Sequence, residues 1–224
     1  MINLIKKDLI LSRMYIAIWS VFNLLLGFSI VLSESISSMY IRFAVYVMFL
    51  SFVVFLGMME NEIKNNADVL ILSLPVDRKS IVTGKYVTYI LILLFFSVFH
   101  YFQVLYFIFS RNWNTPYVPF GYISLNLIFI AIGLGVITGA IVIFLYYLIL
   151  YKKKEMAKFS TVIVYLMWPI GILSLGFNYE GSALEGVLMN ENISIIFLGF
   201  LLISLIIYML SMKASIYLYN KTEI

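Results

Sequence analysis

The sequence predicts an all-α integral membrane protein with six transmembrane helices and both termini on the cytoplasmic side. Three observations carry this. Of the 224 residues, 63% are hydrophobic and only 12% are charged, too few charges for a soluble domain of this size to cover its surface. Six apolar runs are each long enough to cross about 30 Å of hydrocarbon. Placing the N-terminus inside puts every Lys and Arg except Arg42 and Arg111 on the cytoplasmic side, as the positive-inside rule requires.

The runs cover roughly residues 15–32, 39–59, 86–109, 122–150, 159–177 and 193–212. Each must be a helix, because lipid offers no partner for an unpaired backbone amide. The first follows Lys6, Lys7 and Arg13 as a signal peptide would. Its core is long for that role and "SESISS" is a poor cleavage site, so it is read as a retained span. Ile2, Ile5 and Leu9 share one face ahead of it, with Asn3, Lys6 and Arg13 on another, a pattern suited to the headgroup region. Arg42 stands near the outer end of the second span, where its head can reach the lipid headgroups. Pro169 predicts a kink in the fifth span. Trp113, Tyr151 and Tyr217 fall near span ends, as aromatic anchors do, and Trp168 lies within the fifth run. The longest cytoplasmic connection, residues 60–85, is too short for an independent domain. The whole chain, 1–224, reads as one membrane domain.

Several chemistries are excluded. Without cysteine there is no disulfide, thiolate metal site or Cys nucleophile. HExxH and GxSxG are absent. The "VTGKY" around Gly84 and Lys85 is not a phosphate-binding P-loop, because that motif would need Gly at Lys79 and Ser or Thr at Tyr86. No Asp or Glu lies deep in a span, which disfavours an ion-coupled carrier. The net charge of +4 follows the membrane, so lipid rather than nucleic acid is the expected polyanion. The chain therefore reads as no enzyme, and any uphill transport must draw on energy from elsewhere.

Two groups of residues stand out. Between the second and third spans, Glu60 and Glu62 precede "LSLPVDRKSIVTGKY", in which Leu74 and Pro75 turn the chain. Asp77 is placed to cap a helix opened by Arg78, Lys79 and Ser80, and Lys85 marks entry into the third span. Cations in a first turn oppose the helix dipole, which suggests a use beyond local stability. Within the spans, Ser97, His100 and Gln103 recur every three residues on one face, and His100 is the only histidine. With Asn23 in the first span they are candidates for lining a transport pathway; interhelical hydrogen bonding is the alternative. Ser20, Asn23 and Gly27, and likewise Ala131, Gly135 and Gly139, suit close helix packing.

The segment after the second span resembles the small permeases of the ABC-2 exporter family. Their pattern sLP-x-x-R-x-x-I-V-x-x-K-Y is matched by Ser73, Leu74, Pro75, Arg78, Ile81, Val82, Lys85 and Tyr86, with Glu60 or Glu62 as the preceding acid. The opening "MINLIKKDLILSR" resembles the family's interfacial helix and "YNKTEI" its charged tail. The resemblance implies an ABC-2 type permease fold, similar to type V exporters, with a short cytoplasmic coupling helix. It implies a separate ATP-binding cassette ATPase subunit carrying ATP and magnesium, contacted through Glu60, Glu62, Leu74, Pro75, Arg78, Lys79 and Lys85, and no cofactor in this chain. It also implies pairing with a second copy or a sister permease in a bacterial plasma membrane. Small relatives of this form include exporters of amphipathic peptides such as phenol-soluble modulins and bacteriocins. Export of a hydrophobic or amphipathic cargo (a peptide toxin, an antimicrobial peptide or a drug) is thus expected. An ATP-independent carrier or channel, or a non-transport scaffold or immunity protein, is the alternative.

Overall fold

The computed structural model describes residues 2–31, 36–64, 76–110, 126–151 and 193–221. All regular structure among them is helical: α1 (Ile2–Val31), α2 (Ile36–Lys64), α3 (Arg78–Ser110), α4 (Asn126–Tyr151) and α5 (Ile193–Asn220). Four stretches among the described residues are long and apolar enough to cross a membrane: Met39–Glu62, Arg78–Tyr106, Ile128–Leu148 and Ser194–Asn220. They fall on the second, third, fourth and sixth predicted spans, and the chain is a multi-pass membrane protein. The first predicted span falls on α1, which is not among those four. The fifth, 159–177, lies outside the described residues.

Contacts between helices fix their relative directions. Tyr15 of α1 packs where a Cβ on Gly57 of α2 would sit, and Lys7 meets Glu62, so α1 and α2 are antiparallel. Glu62 meets Lys85, Phe55 meets Tyr89, and Phe43 meets His100, which runs α3 against α2. Tyr89 and Leu93 of α3 fill the space beside Gly139 and Gly135 of α4, in that order, so α4 runs against α3. Arg78 reaches the end of α5 while Tyr86 bonds Ser211 and Ser215, so α5 also runs against α3. Hence α4 and α5 point the same way. Phe200 beside Gly133 and Ser211 bonded to the Ala140 carbonyl confirm the parallel pairing.

The core follows from this arrangement. α2 is enclosed on several sides, whereas α5 presents most of its surface outward. Phe43, Leu50, Phe52, Phe55 and Met58 are fully buried. Ile195, Leu202, Ile203, Ile206 and Leu210 of α5 are exposed apolar side chains, as suits lipid contact. The glycines of α4 let large rings approach its backbone: a Cβ at Gly139 would lie 2.2 Å from the Tyr89 ring, and one at Gly135 2.4 Å from Leu93. The Ala131–Gly135–Gly139 face is therefore spent on packing within the chain. Several hydroxyls return to their own backbone. Ser20, Ser51, Ser97, Thr138 and Ser204 each donate to a carbonyl four residues back.

The helices outrun the hydrophobic spans. α3 has 33 residues, about 50 Å at 1.5 Å per residue, against about 30 Å of hydrocarbon. It begins at Arg78 rather than Tyr86, and α2 continues to Lys64. Hydropathy marks where lipid ends, whereas backbone hydrogen bonding carries a helix onward until a cap stops it. That cap is Asp77: its Oδ1 accepts from the Lys79 amide at 3.1 Å, and its carbonyl accepts from the Ser80 and Ile81 amides at 2.9 and 3.3 Å. At the chain's start, the short interfacial helix and first span are likewise one continuous helix, α1.

Candidate functional site

Where the start of α1, the end of α2 and the start of α3 come together, four charged side chains form a closed cluster. Lys7 and Asp8 come from α1, Glu62 from α2 and Lys85 from α3. The Lys7 Nζ lies 2.6 Å from Glu62 Oε1 and 3.1 Å from Asp8 Oδ1. The Lys85 Nζ lies 3.2 Å from Asp8 Oδ1 and also bonds Glu62 Oε2. Thr88, one turn further along α3, donates to Asp8 Oδ2 at 3.5 Å. Each carboxylate meets both ammonium groups, and the four charges sum to zero.

Burial makes the arrangement consequential. Glu62 is 0% exposed, Asp8 2% and Lys85 5%; only Lys7, at 33%, reaches the surface. Burial pushes the Asp8 carboxyl above its usual range, and Glu62 adds to this while Lys85 and Lys7 oppose it. Burial alone would lower the Lys7 ammonium, but Glu62 and Asp8 outweigh it and hold its pKa above the ordinary value. Charges in such a place are tolerable only as a set, since removing one partner strands another in a low dielectric.

Beside the cluster, Arg78 ties the first turn of α3 to the last turn of α5. Its Nη1 donates to the Tyr219 and Asn220 carbonyls at 3.1 and 3.3 Å, and its guanidinium stands 5.9 Å from the centre of the Tyr219 ring. Those carbonyls close the helix and want donors, and the negative end of the helix dipole favours a cation there. Two turns on, the Tyr86 hydroxyl bonds Ser211 and Ser215 at 2.7 and 2.8 Å, and Tyr208 donates to the Tyr86 carbonyl at 2.7 Å. The first turns of α3 are thus joined to α1, α2 and α5 by polar contacts.

Of the residues expected to contact a partner, Glu62 and Lys85 are buried in the cluster, and Arg78 is engaged with α5. Glu60 is partly buried on the last turns of α2, and Lys79 is exposed. Leu74 and Pro75 lie outside the described residues. The pathway candidates come together further along the helices. Ser97, His100, Gln103 and Asn23 are all buried. Gln103 Nε2 donates to the Asn23 and Leu24 carbonyls, each at 2.9 Å, joining α3 to α1. Ser97 bonds only the Leu93 carbonyl of its own helix.

Sequence reading missed Asp8 and gave Lys7 only the role of a basic flank. The available signal was an acid inside the basic opening "KKDLILSR". A carboxylate followed by an apolar run on a helix asks for a charged partner once that helix packs.

Comparison with curated proteins and with solved structures gives no match. The family model for the ABC-2 family transporter protein matches residues 3–220. That span takes in all four charged residues, Arg78 and the α5 carbonyls it grips. The chain belongs to the ABC-2 transporter family.

Proposed function

We propose that this chain is the membrane-spanning permease subunit of an ATP-binding cassette exporter. A separate ATPase subunit supplies the energy, and the cargo is hydrophobic or amphipathic: a peptide toxin, an antimicrobial peptide or a drug. The observation that carries the reading is α3. It is one unbroken helix from the capped turn at Arg78–Ser80, where Lys79 is exposed, into the apolar span. The charged cluster and the Arg78 contact fasten that turn to α1, α2 and α5. Force applied there moves a joined group of helices, as transport by rigid-body motion requires. Glu62 and Lys85 act within this reading as positioning residues that brace the lever, while Lys79, Leu74 and Pro75 contact the ATPase.

The topology proposed is six spans with both termini cytoplasmic, in a bacterial plasma membrane, and two permease subunits forming the pathway. The parallel course of α4 and α5 supports six spans, because a chain leaving α4 at one face must recross the bilayer before entering α5. The apolar run 159–177 supplies that crossing. Because the chain has no cysteine, single cysteines report sidedness cleanly. Ser80→Cys is expected to react with an impermeant maleimide from the cytoplasm and Ser182→Cys from outside; the reverse pattern would overturn the topology.

Coupling is tested by paired charge reversals in the permease–ATPase complex. Lys79→Glu changes an exposed side chain without touching α5, whereas Arg78→Glu also breaks the α5 contact. Both are expected to abolish cargo export while the permease remains inserted and ATP hydrolysis continues unstimulated. Normal export by Lys79→Glu and Arg78→Glu would remove this turn from the coupling role.

A further inference from the structure

About 22 Å along α1 and α3 from the charged cluster, at fifteen residues of 1.5 Å rise, lies a second polar group of opposite character. The offset that pairs Asp8 with Thr88 also pairs Asn23 with Gln103. The two helices therefore run parallel and in register between the two places. At the second place the side chains are neutral and unsatisfied. Among the described residues, no hydrogen bond pairs either amide atom of Asn23, either imidazole nitrogen of His100 or Gln103 Oε1; the Gln103 side chain is the polar neighbour of the His100 ring. Asn23 and His100 are 0% exposed and Gln103 is 7%. The walls are aromatic: the His100 ring lies 5.2 Å from that of Phe43 and 6.4 Å, edge-on, from that of Tyr46.

A buried polar atom without a partner costs about 1–3 kcal/mol, and folded proteins leave few of them. Five on three neighbouring side chains is a concentration that helix packing does not explain. Interhelical bonding accounts for the Gln103 amide group alone, and Leu at 23 or 100 would satisfy the packing with no such cost. The groups do share a chemistry. Asn23 offers a donor and an acceptor, neutral His100 offers one of each, and Gln103 Oε1 accepts.

We propose that Asn23, His100 and Gln103 form a binding site for a neutral group that both donates and accepts hydrogen bonds. Two sources have that chemistry: water held between the helices, or an uncharged amide of a peptide cargo. A charged ligand does not fit, since the three side chains supply no charge to pair with it. The site itself does not depend on ATP coupling; only its assignment to cargo rests on the exporter reading. The Gln103 amide joins the site to α1 through the Asn23 and Leu24 carbonyls.

The single histidine makes the test specific. Full-length chain labelled with 15N-histidine, in nanodiscs of phosphatidylethanolamine and phosphatidylglycerol, gives one imidazole to observe by NMR. The expected result is a hydrogen-bond shift of at least one ring nitrogen with magnetisation transfer from water. That transfer should be largely lost in Asn23→Leu, weakened in Gln103→Leu and retained in Ser97→Ala, whose hydroxyl bonds its own helix. Adding a synthetic amphipathic leucine–lysine peptide separates the sources. Replacement of the water transfer by transfer from peptide amides assigns the site to cargo, and persistence of the water transfer assigns it to water. Ring nitrogens that show no contact with water or peptide, or a hydrogen bond to Gln103 alone, would overturn the proposal. No ATPase is present, so failure here leaves the exporter reading standing, and failure of coupling leaves this site standing.

Discussion

Two polar regions bracket the seam between α1 and α3, and they handle burial in opposite ways. At the charged end, four ionised groups are closed on one another, and both carboxylates meet both ammonium groups. At the neutral end, five polar atoms are buried and, among the described residues, make no hydrogen bond. The first region spends its polarity on holding three helices together. The second leaves its polarity unspent. The difference teaches that a polar residue in a membrane helix bundle has no single meaning: its role depends on whether its hydrogen-bonding capacity is used up within the fold.

The largest effect should come from breaking the charged end. Glu62→Gln removes the negative charge shared by Lys7 and Lys85 and leaves Lys85 buried beside Asp8 alone. A loss of about 3–5 kcal/mol is expected, read as a lower midpoint of thermal unfolding in nanodiscs. Glu62→Leu combined with Lys85→Leu should recover much of that loss, because it strands fewer buried charges. A double variant no more stable than Glu62→Gln would show that the cluster is not a balanced set.

The neutral end should respond the other way. Asn23→Leu deletes two unpartnered atoms, so stability is expected to stay within about 1 kcal/mol of the parent in the same unfolding assay. Cargo export should nonetheless fall if the cluster contacts what moves. A destabilisation as large as that of Glu62→Gln would erase the contrast and make both ends structural.

Much of the fold was legible because lipid simplifies the problem. Four of the six apolar runs coincide with helices able to cross a membrane, and Asp77 caps α3 as its placement implies. Helix ends were less legible. Hydropathy ends the second span at Met59 and starts the third at Tyr86, yet the helices run on to Lys64 and begin at Arg78. This is why Glu62 and Lys85 read as loop residues facing a partner, when the geometry turns them toward each other. Linear sequence also gave no reason to join Asp8 with Thr88 or Asn23 with Gln103, because the constant offset between α1 and α3 is a property of packing. The His100 stripe was visible from its spacing. Its want of partners was not, since that depends on Phe43 and Tyr46 facing it from α2.

The central claim is that the first turn of α3, at the exposed Lys79, is where an energy-supplying subunit pushes. A photocrosslinking amino acid placed at Lys79, in living cells of the source organism, tests it most directly. The account predicts covalent capture of a nucleotide-hydrolysing subunit, with the yield changing when ATP is depleted. Capture of lipid alone, or of no ATPase under either condition, would contradict it.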